Sequence, residues 1–128
     1  MTRVLLVDDD RRITVMLSRM LLSAGEYSVR IENDSRQVVA VAEEFQPDVV
    51  VMDVDMPHMD GGDVAYAMGS RESTHKIPII FLTSLFTRAE AQKGQEAASN
   101  QRVLPKPLAK NDLIRALSAA LVLEPALP

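Results

Sequence analysis

Five short apolar runs punctuate this chain: Val4–Val7, Tyr27–Ile31, Val49–Met52, Ile79–Leu82 and the weaker Val103–Leu104. They start at residues 4, 27, 49, 79 and 103, at steps of 23, 22, 30 and 24 residues. None approaches the roughly 18 apolar residues that a membrane-spanning helix needs. Several are apolar at consecutive positions, as strands buried on both faces are, and the segments between them carry helical periodicity. Ile13, Met16, Leu17, Met20, Leu21 and Ala24 recur at three- and four-residue steps, and Gly25 supplies a stop. Val38, Val41, Ala42 and Phe45 repeat the pattern, with Asp34 or Ser35 as N-caps and Pro47 beyond the end. Val64, Ala65 and Met68 predict a short third helix weakened by Gly69, and Leu113, Ile114, Leu117 and Leu121 a last one. Residues 88–98 are helical by propensity but have little to bury. Strand and helix alternating at this spacing predict βαβ units and a five-stranded α/β sandwich.

The chain has 128 residues, enough for one domain. We place that domain at residues 1–122, with 123–128 as a frayed tail. Fourteen basic against 18 acidic residues leave a net charge of −4, which argues against nucleic acid or an anionic membrane as main partner. Absence of cysteine excludes disulfides, thiolate nucleophiles and thiolate metal sites. The opening Met-Thr-Arg-Val-Leu-Leu-Val begins like a secretory signal but runs into Asp8, Asp9 and Asp10. A cytoplasmic protein is expected.

Open parallel sheets bind ligands outside the carboxyl ends of their strands, so the residues just after each run decide the chemistry. After the first come Asp8, Asp9 and Asp10, after the third Asp53 and Asp55, after the fourth Thr83 and Ser84, and after the fifth Lys106. The second ends in Glu32, Asn33 and Asp34, at an edge expected to lie away from the others. Gathered carboxylates repel unless a cation sits among them, and oxygen ligands on loops with room for water suit Mg²⁺. A lysine and a hydroxyl beside such a site can hold phosphoryl oxygens. That set is what phosphoryl transfer to a carboxylate requires.

Leu5-Leu6-Val7-Asp8-Asp9-Asp10, Val51-Met52-Asp53-Val54-Asp55-Met56-Pro57 with Met59-Asp60-Gly61, Phe81-Leu82-Thr83-Ser84 and Pro105-Lys106-Pro107 together resemble the signature of the response-regulator receiver family. The resemblance covers Val4 to about Leu121. It implies a flavodoxin-like (βα)5 three-layer sandwich with a parallel sheet of order 2-1-3-4-5. By position, Asp53 matches the phosphoacceptor, and Asp8 and Asp9 the Mg²⁺-binding acidic pair. Asp55 matches a backbone-carbonyl ligand, Thr83 the switch hydroxyl and Lys106 the phosphoryl-contacting lysine. In receivers the threonine moves toward the acyl phosphate and draws the following loop with it, reshaping the face of the last two helices and the fifth strand. The implied partners are a histidine kinase or histidine phosphotransfer protein and a downstream target, with the chain a monomer or a phosphorylation-dependent dimer.

Three positions depart from the family pattern. Val103 stands where receivers carry a tyrosine or phenylalanine that rotates on activation, Ala97–Gln101 replaces the usual turn before strand five, and Ala109 stands at the cap of the last helix. Asp10 reads as a helix cap, and Arg11 and Arg12 as an exposed surface open to a phosphodonor. His58 and His75 read as polar loop residues, and Met16 and Met20 as core filler. Prolines flanking Lys106 fix its backbone and admit a cis peptide before Pro107. The expected function is a phosphorylatable switch that is not a conventional enzyme. Competing readings are a binding-only pseudo-receiver, motivated by Val103 and the altered segment Ala97–Arg102, and a Mg²⁺-dependent phosphohydrolase, motivated by Asp53-Val54-Asp55.

Overall fold

The computed structural model describes residues 1–84, 101–106 and 108–123. In chain order these form β1 (Thr2–Val7), α1 (Arg11–Ala24), β2 (Tyr27–Glu32), a 3₁₀ turn (Ser35–Gln37), α2 (Val38–Phe45), β3 (Val49–Asp53), α3 (Gly61–Gly69), β4 (Ile79–Thr83), β5 (Gln101–Pro105) and α4 (Lys110–Leu123). All strand pairs are parallel, in the order β2-β1-β3-β4-β5. The expected fold class and strand order are both present. The expected helix over 88–98, most of the altered turn at 97–101, the peptide before Pro107 and residues 124–128 lie outside the described residues.

Alternating side chains along the strands feed two apolar layers, one on each face of the sheet. Val4, Leu6, Val49, Val51, Ile80 and Leu82 meet Leu17 and Leu21 of α1 and Leu113 and Leu117 of α4. Leu5, Val7, Val50, Met52 and Phe81 meet Val38 and Ala42 of α2 and Val64 and Met68 of α3. Every residue of β3 and β4 is buried, which is why these runs contain hardly any polar residue before their last position. Among the described residues no helix is long and apolar enough to cross a membrane.

Local chemistry sets the element ends. Asp10 caps α1 by accepting from the Arg12 N–H, and Gly25 ends it in the left-handed conformation at φ 82°. Asp34 caps the 3₁₀ turn, not α2 itself, while Ser35 is buried and bonds elsewhere. The third helix is firmer than its periodicity suggests. Asp60 accepts from the Asp63 N–H and Asp63 accepts from the Asp60 N–H, a reciprocal cap built from two aspartates.

One core assignment needs correction. Met16 is exposed, and Thr14, not a methionine, fills the fully buried place on α1 beside Leu17 and Leu21; Met20 is half-buried against the core. Thr14 tolerates burial because its hydroxyl donates to the Arg11 carbonyl at 3.1 Å and accepts from the Asn33 amide at 3.0 Å.

Candidate functional site

Strand order reverses at β1, whose two neighbours are β2 and β3, and the carboxyl ends of β1, β3 and β4 converge there. Asp8 follows β1 and Asp53 ends β3, and both are buried, at 1% and 6% exposure. Asp9 is exposed. Carboxylate oxygens of Asp8, Asp9 and Asp53 all lie within 4.8 Å of one another. Lys106 reaches in from the end of β5. Its Nζ lies 2.9 Å from Asp8 Oδ2 and 3.1 Å from Asp53 Oδ1.

The backbone explains why these four groups meet. The β4–β5 register pairs Thr83 with Pro105, and the Lys106 N–H continues it by donating to the Thr83 carbonyl at 2.9 Å. That bond points Lys106 across the strand ends. The Val54 N–H donates to the Leu82 carbonyl at 3.0 Å, which extends β3 past Asp53. Gly61 then packs against the same segment, its N–H donating to the Val54 carbonyl at 2.7 Å. Asp8 is braced locally by the Asp10 N–H, which donates to its Oδ1 at 2.9 Å.

Charge in the pocket is unbalanced. Among the described residues, three carboxylates against one ammonium leave a local excess of two negative charges, the complement of a divalent cation. Burial holds the Asp53 carboxyl above its ordinary pKa, and the charge of Asp8 adds to the rise. Hydrogen bonds from Lys106 and the Asp55 backbone N–H oppose it without cancelling it. Burial would lower the Lys106 ammonium, but Asp8 and Asp53 outweigh it and hold Lys106 above its usual value. The donors are all oxygens and partly open to solvent, which suits a hard ion that keeps some of its water.

Thr83 is buried at the end of β4, and Ser84 is exposed just beyond it. Ser84 and Lys106 stand at the rim of a largely apolar cavity of about 330 Å³, lined by Ile13, Met16, Leu17, Leu82 and Leu108. Asp55 is exposed, and its side chain is not part of the carboxylate cluster. Val103 is half-buried and packs on the core layer shared with α2 and α3. His58 and His75 are exposed and outside the cluster. Two contributors escaped the sequence reading. Asn33, at the supposedly remote end of β2, donates its amide to the Asp8 carbonyl at 2.8 Å, and Ser35 bonds the loop after β3. Only the β1–β2 pairing, which aligns Val7 with Glu32, brings Asn33 there.

Residues 4–118 match the family model of the response regulator receiver domain. The chain belongs to that family. Receivers are signalling switches of two-component systems and not conventional enzymes. Response regulator MprA of Mycolicibacterium vanbaalenii is 36% identical over 119 residues, which cover 93% of this chain and 50% of that protein. The chain thus spans about half the length of the curated relatives it matches. Vibrio cholerae chemotaxis response regulator CheY4 superposes with a TM-score of 0.80 at 32% identity, covering 94% of this chain and 99% of that one. The receiver domain of the Pseudomonas aeruginosa sensor histidine kinase PA1611 superposes with a TM-score of 0.80 at 29% identity, covering 94% of this chain and 98% of that one. That structure has a magnesium ion coordinated in its active-site cleft.

Proposed function

We propose that Asp53 is the phosphoacceptor of this receiver and that it takes a phosphoryl group from a histidine kinase or histidine phosphotransfer protein. The observation that carries the reading is the Lys106 ammonium set between Asp8 and Asp53, with Asp9 completing the oxygen cluster. Asp8, Asp9 and Asp53, with the Asp55 carbonyl, would hold Mg²⁺, which neutralises the charge of the incoming phosphoryl oxygens. The magnesium ion in the PA1611 receiver supports that assignment.

The remaining chemistry belongs to the side chains. An Asp53 carboxylate oxygen forms a bond to phosphorus as the phosphohistidine N–P bond breaks, and the electron pair leaves with the imidazole nitrogen. Lys106 stays within reach of a phosphoryl oxygen while keeping its bond to Asp8. The Thr83 hydroxyl donates to another, and Ser84 follows it into the rearranged loop. Burial of Asp53 keeps bulk water from the acyl phosphate. The acyl phosphate then biases a pre-existing equilibrium between two surface states, which a downstream protein reads.

The exposed face of α1 is the surface we assign to the phosphodonor. Arg11, Arg12 and Arg19 surround Val15 and Met16 there, beside a groove of about 590 Å³. Residues 1–122 act as the receiver unit in this reading, and the chain works in the cytoplasm, where such donors present their phosphohistidine. The binding-only reading draws on Val103, whose small side chain packs on the core and has no second burial state to adopt. Intact-mass analysis after acetyl phosphate treatment tests the proposal. One phosphoryl adduct is expected with Mg²⁺, and none with EDTA or in Asp53→Asn. Adduct formation in Asp53→Asn equal to wild type would refute it.

A further inference from the structure

The turn after β2 has no part in the mechanism above, yet it holds both loops that carry the acidic residues. Asn33 uses both protons of its side-chain amide on the β1–α1 segment. Its Nδ2 donates to the Asp8 carbonyl at 2.8 Å and to Thr14 Oγ1 at 3.0 Å. Asp8 is thereby held at three points: its carbonyl by Asn33, Oδ1 by the Asp10 N–H at 2.9 Å and Oδ2 by Lys106 at 2.9 Å. The gripped carbonyl belongs to the peptide joining Asp8 to Asp9. That peptide is planar, so fixing its oxygen fixes the direction in which the chain enters Asp9.

Two residues further on, Ser35 holds the opposite wall. Its buried hydroxyl donates to the Pro57 carbonyl at 2.8 Å and accepts from the Met59 N–H at 3.2 Å. Between those residues His58 sits at φ 71°, a left-handed conformation that costs a side chain other than glycine. One short turn therefore ties the Asp8–Asp9 peptide and the loop after Asp53 to a single edge of the sheet.

We propose that this turn is a positioning element of the acidic pocket, with Asn33 the positioning residue that sets its Mg²⁺ affinity. The inference rests on reading the cluster of Asp8, Asp9 and Asp53 as a Mg²⁺ site. Clustered carboxylates repel and spread apart without a cation, and a fixed Asp8–Asp9 peptide resists that spreading. Removing a group that orients a ligand costs about 10- to 100-fold in metal affinity in comparable sites.

The test compares wild type with Asn33→Ala and with Asn33→Asp, which keeps the shape but turns both donors into acceptors. Asn33→Ser, which keeps one hydroxyl donor, serves if the aspartate variant does not fold. Leu117→Ala is the control for lost stability, since Leu117 is fully buried in the layer under α1 and α4 and outside the pocket. Three quantities are read: Mg²⁺ affinity by calorimetry, unfolding in EDTA, and the rate of acetyl phosphate uptake at limiting and saturating Mg²⁺. We expect Asn33→Ala to bind Mg²⁺ about 10-fold more weakly and to regain its uptake rate at saturating Mg²⁺. Leu117→Ala should lose stability and keep wild-type affinity. Asn33 variants that lose stability but bind Mg²⁺ as wild type does would overturn the inference. A wild type that binds no Mg²⁺ would instead overturn the metal reading beneath it.

Discussion

Adding one methyl group to α3 should have opposite effects at its two ends. An ideal Cβ on Gly61 would lie 2.8 Å from the Asp53 carbonyl oxygen, 2.9 Å from Val54 Cα and 3.2 Å from Phe81 Cε1. The two nearest atoms are backbone at the end of a fully buried strand, so neither can swing aside. Overpacking of this kind costs about 1–3 kcal/mol. At Gly69 a Cβ meets nothing within 4 Å, and φ is not positive there. Alanine is favoured over glycine in a helix by about 0.5–1 kcal/mol, so Gly69→Ala should stabilise. With an unfolding entropy of about 2.1 cal/mol/K per residue, a 128-residue chain loses roughly 7 °C of Tm for about 2 kcal/mol. Thermal and urea unfolding of both variants, followed by far-UV circular dichroism, measure the difference. A Gly61→Ala protein that melts at or above wild type would show that the Asp53–Val54 segment yields freely, against the account of how the site is held.

Three further outcomes follow from the pocket and its supports. Asp53 has a folded pKa above its unfolded one, so its contribution is full below the unfolded carboxylate pKa and is lost as pH rises through the folded value. Urea unfolding in EDTA should therefore show a fall in stability above the ordinary carboxylate range that Asp53→Asn lacks. Lys106→Met leaves Asp8 and Asp53 facing each other without a counter-charge. It should cost about 2–3 kcal/mol in EDTA, most of it recovered when Mg²⁺ is added, as differential scanning calorimetry would show. Ser35→Ala removes the buried hydroxyl's bonds to the Pro57 carbonyl and the Met59 N–H, which keep their bond to each other at 2.8 Å, and should cost about 0.5–1.5 kcal/mol by urea unfolding.

How far the sequence could be read depended on whether a signal was local. Strands β3 and β4 announced themselves because burial on both faces leaves a continuous apolar run with a polar residue only at its end, and β1 did so through the buried run Val4–Val7 that follows Thr2 and Arg3. Asp10 was legible as a cap because its partner, the Arg12 N–H, is two residues away. Asp8, Asp53, Thr83 and Lys106 were legible together because strand ends in a parallel sheet converge wherever the strands lie side by side. Met16 was misjudged and Thr14 passed over because a hydrophobic stripe counts side-chain polarity and is blind to a hydroxyl satisfied by Arg11 and Asn33. Asn33 carried no local signal. It lies 25 residues from Asp8, and only the pairing of β2 beside β1 brings the two together.

The central claim is that Asp53 becomes an acyl phosphate, and borohydride trapping tests it most directly. Borohydride reduces an aspartyl phosphate to homoserine, which peptide mass mapping then places in the chain. The protein would be treated with acetyl phosphate, with and without Mg²⁺, and reduced at once. Homoserine at residue 53, formed only with Mg²⁺, is the predicted result. Homoserine at Asp8, Asp9 or Asp55 in its place, or trapping that ignores Mg²⁺, would contradict the account.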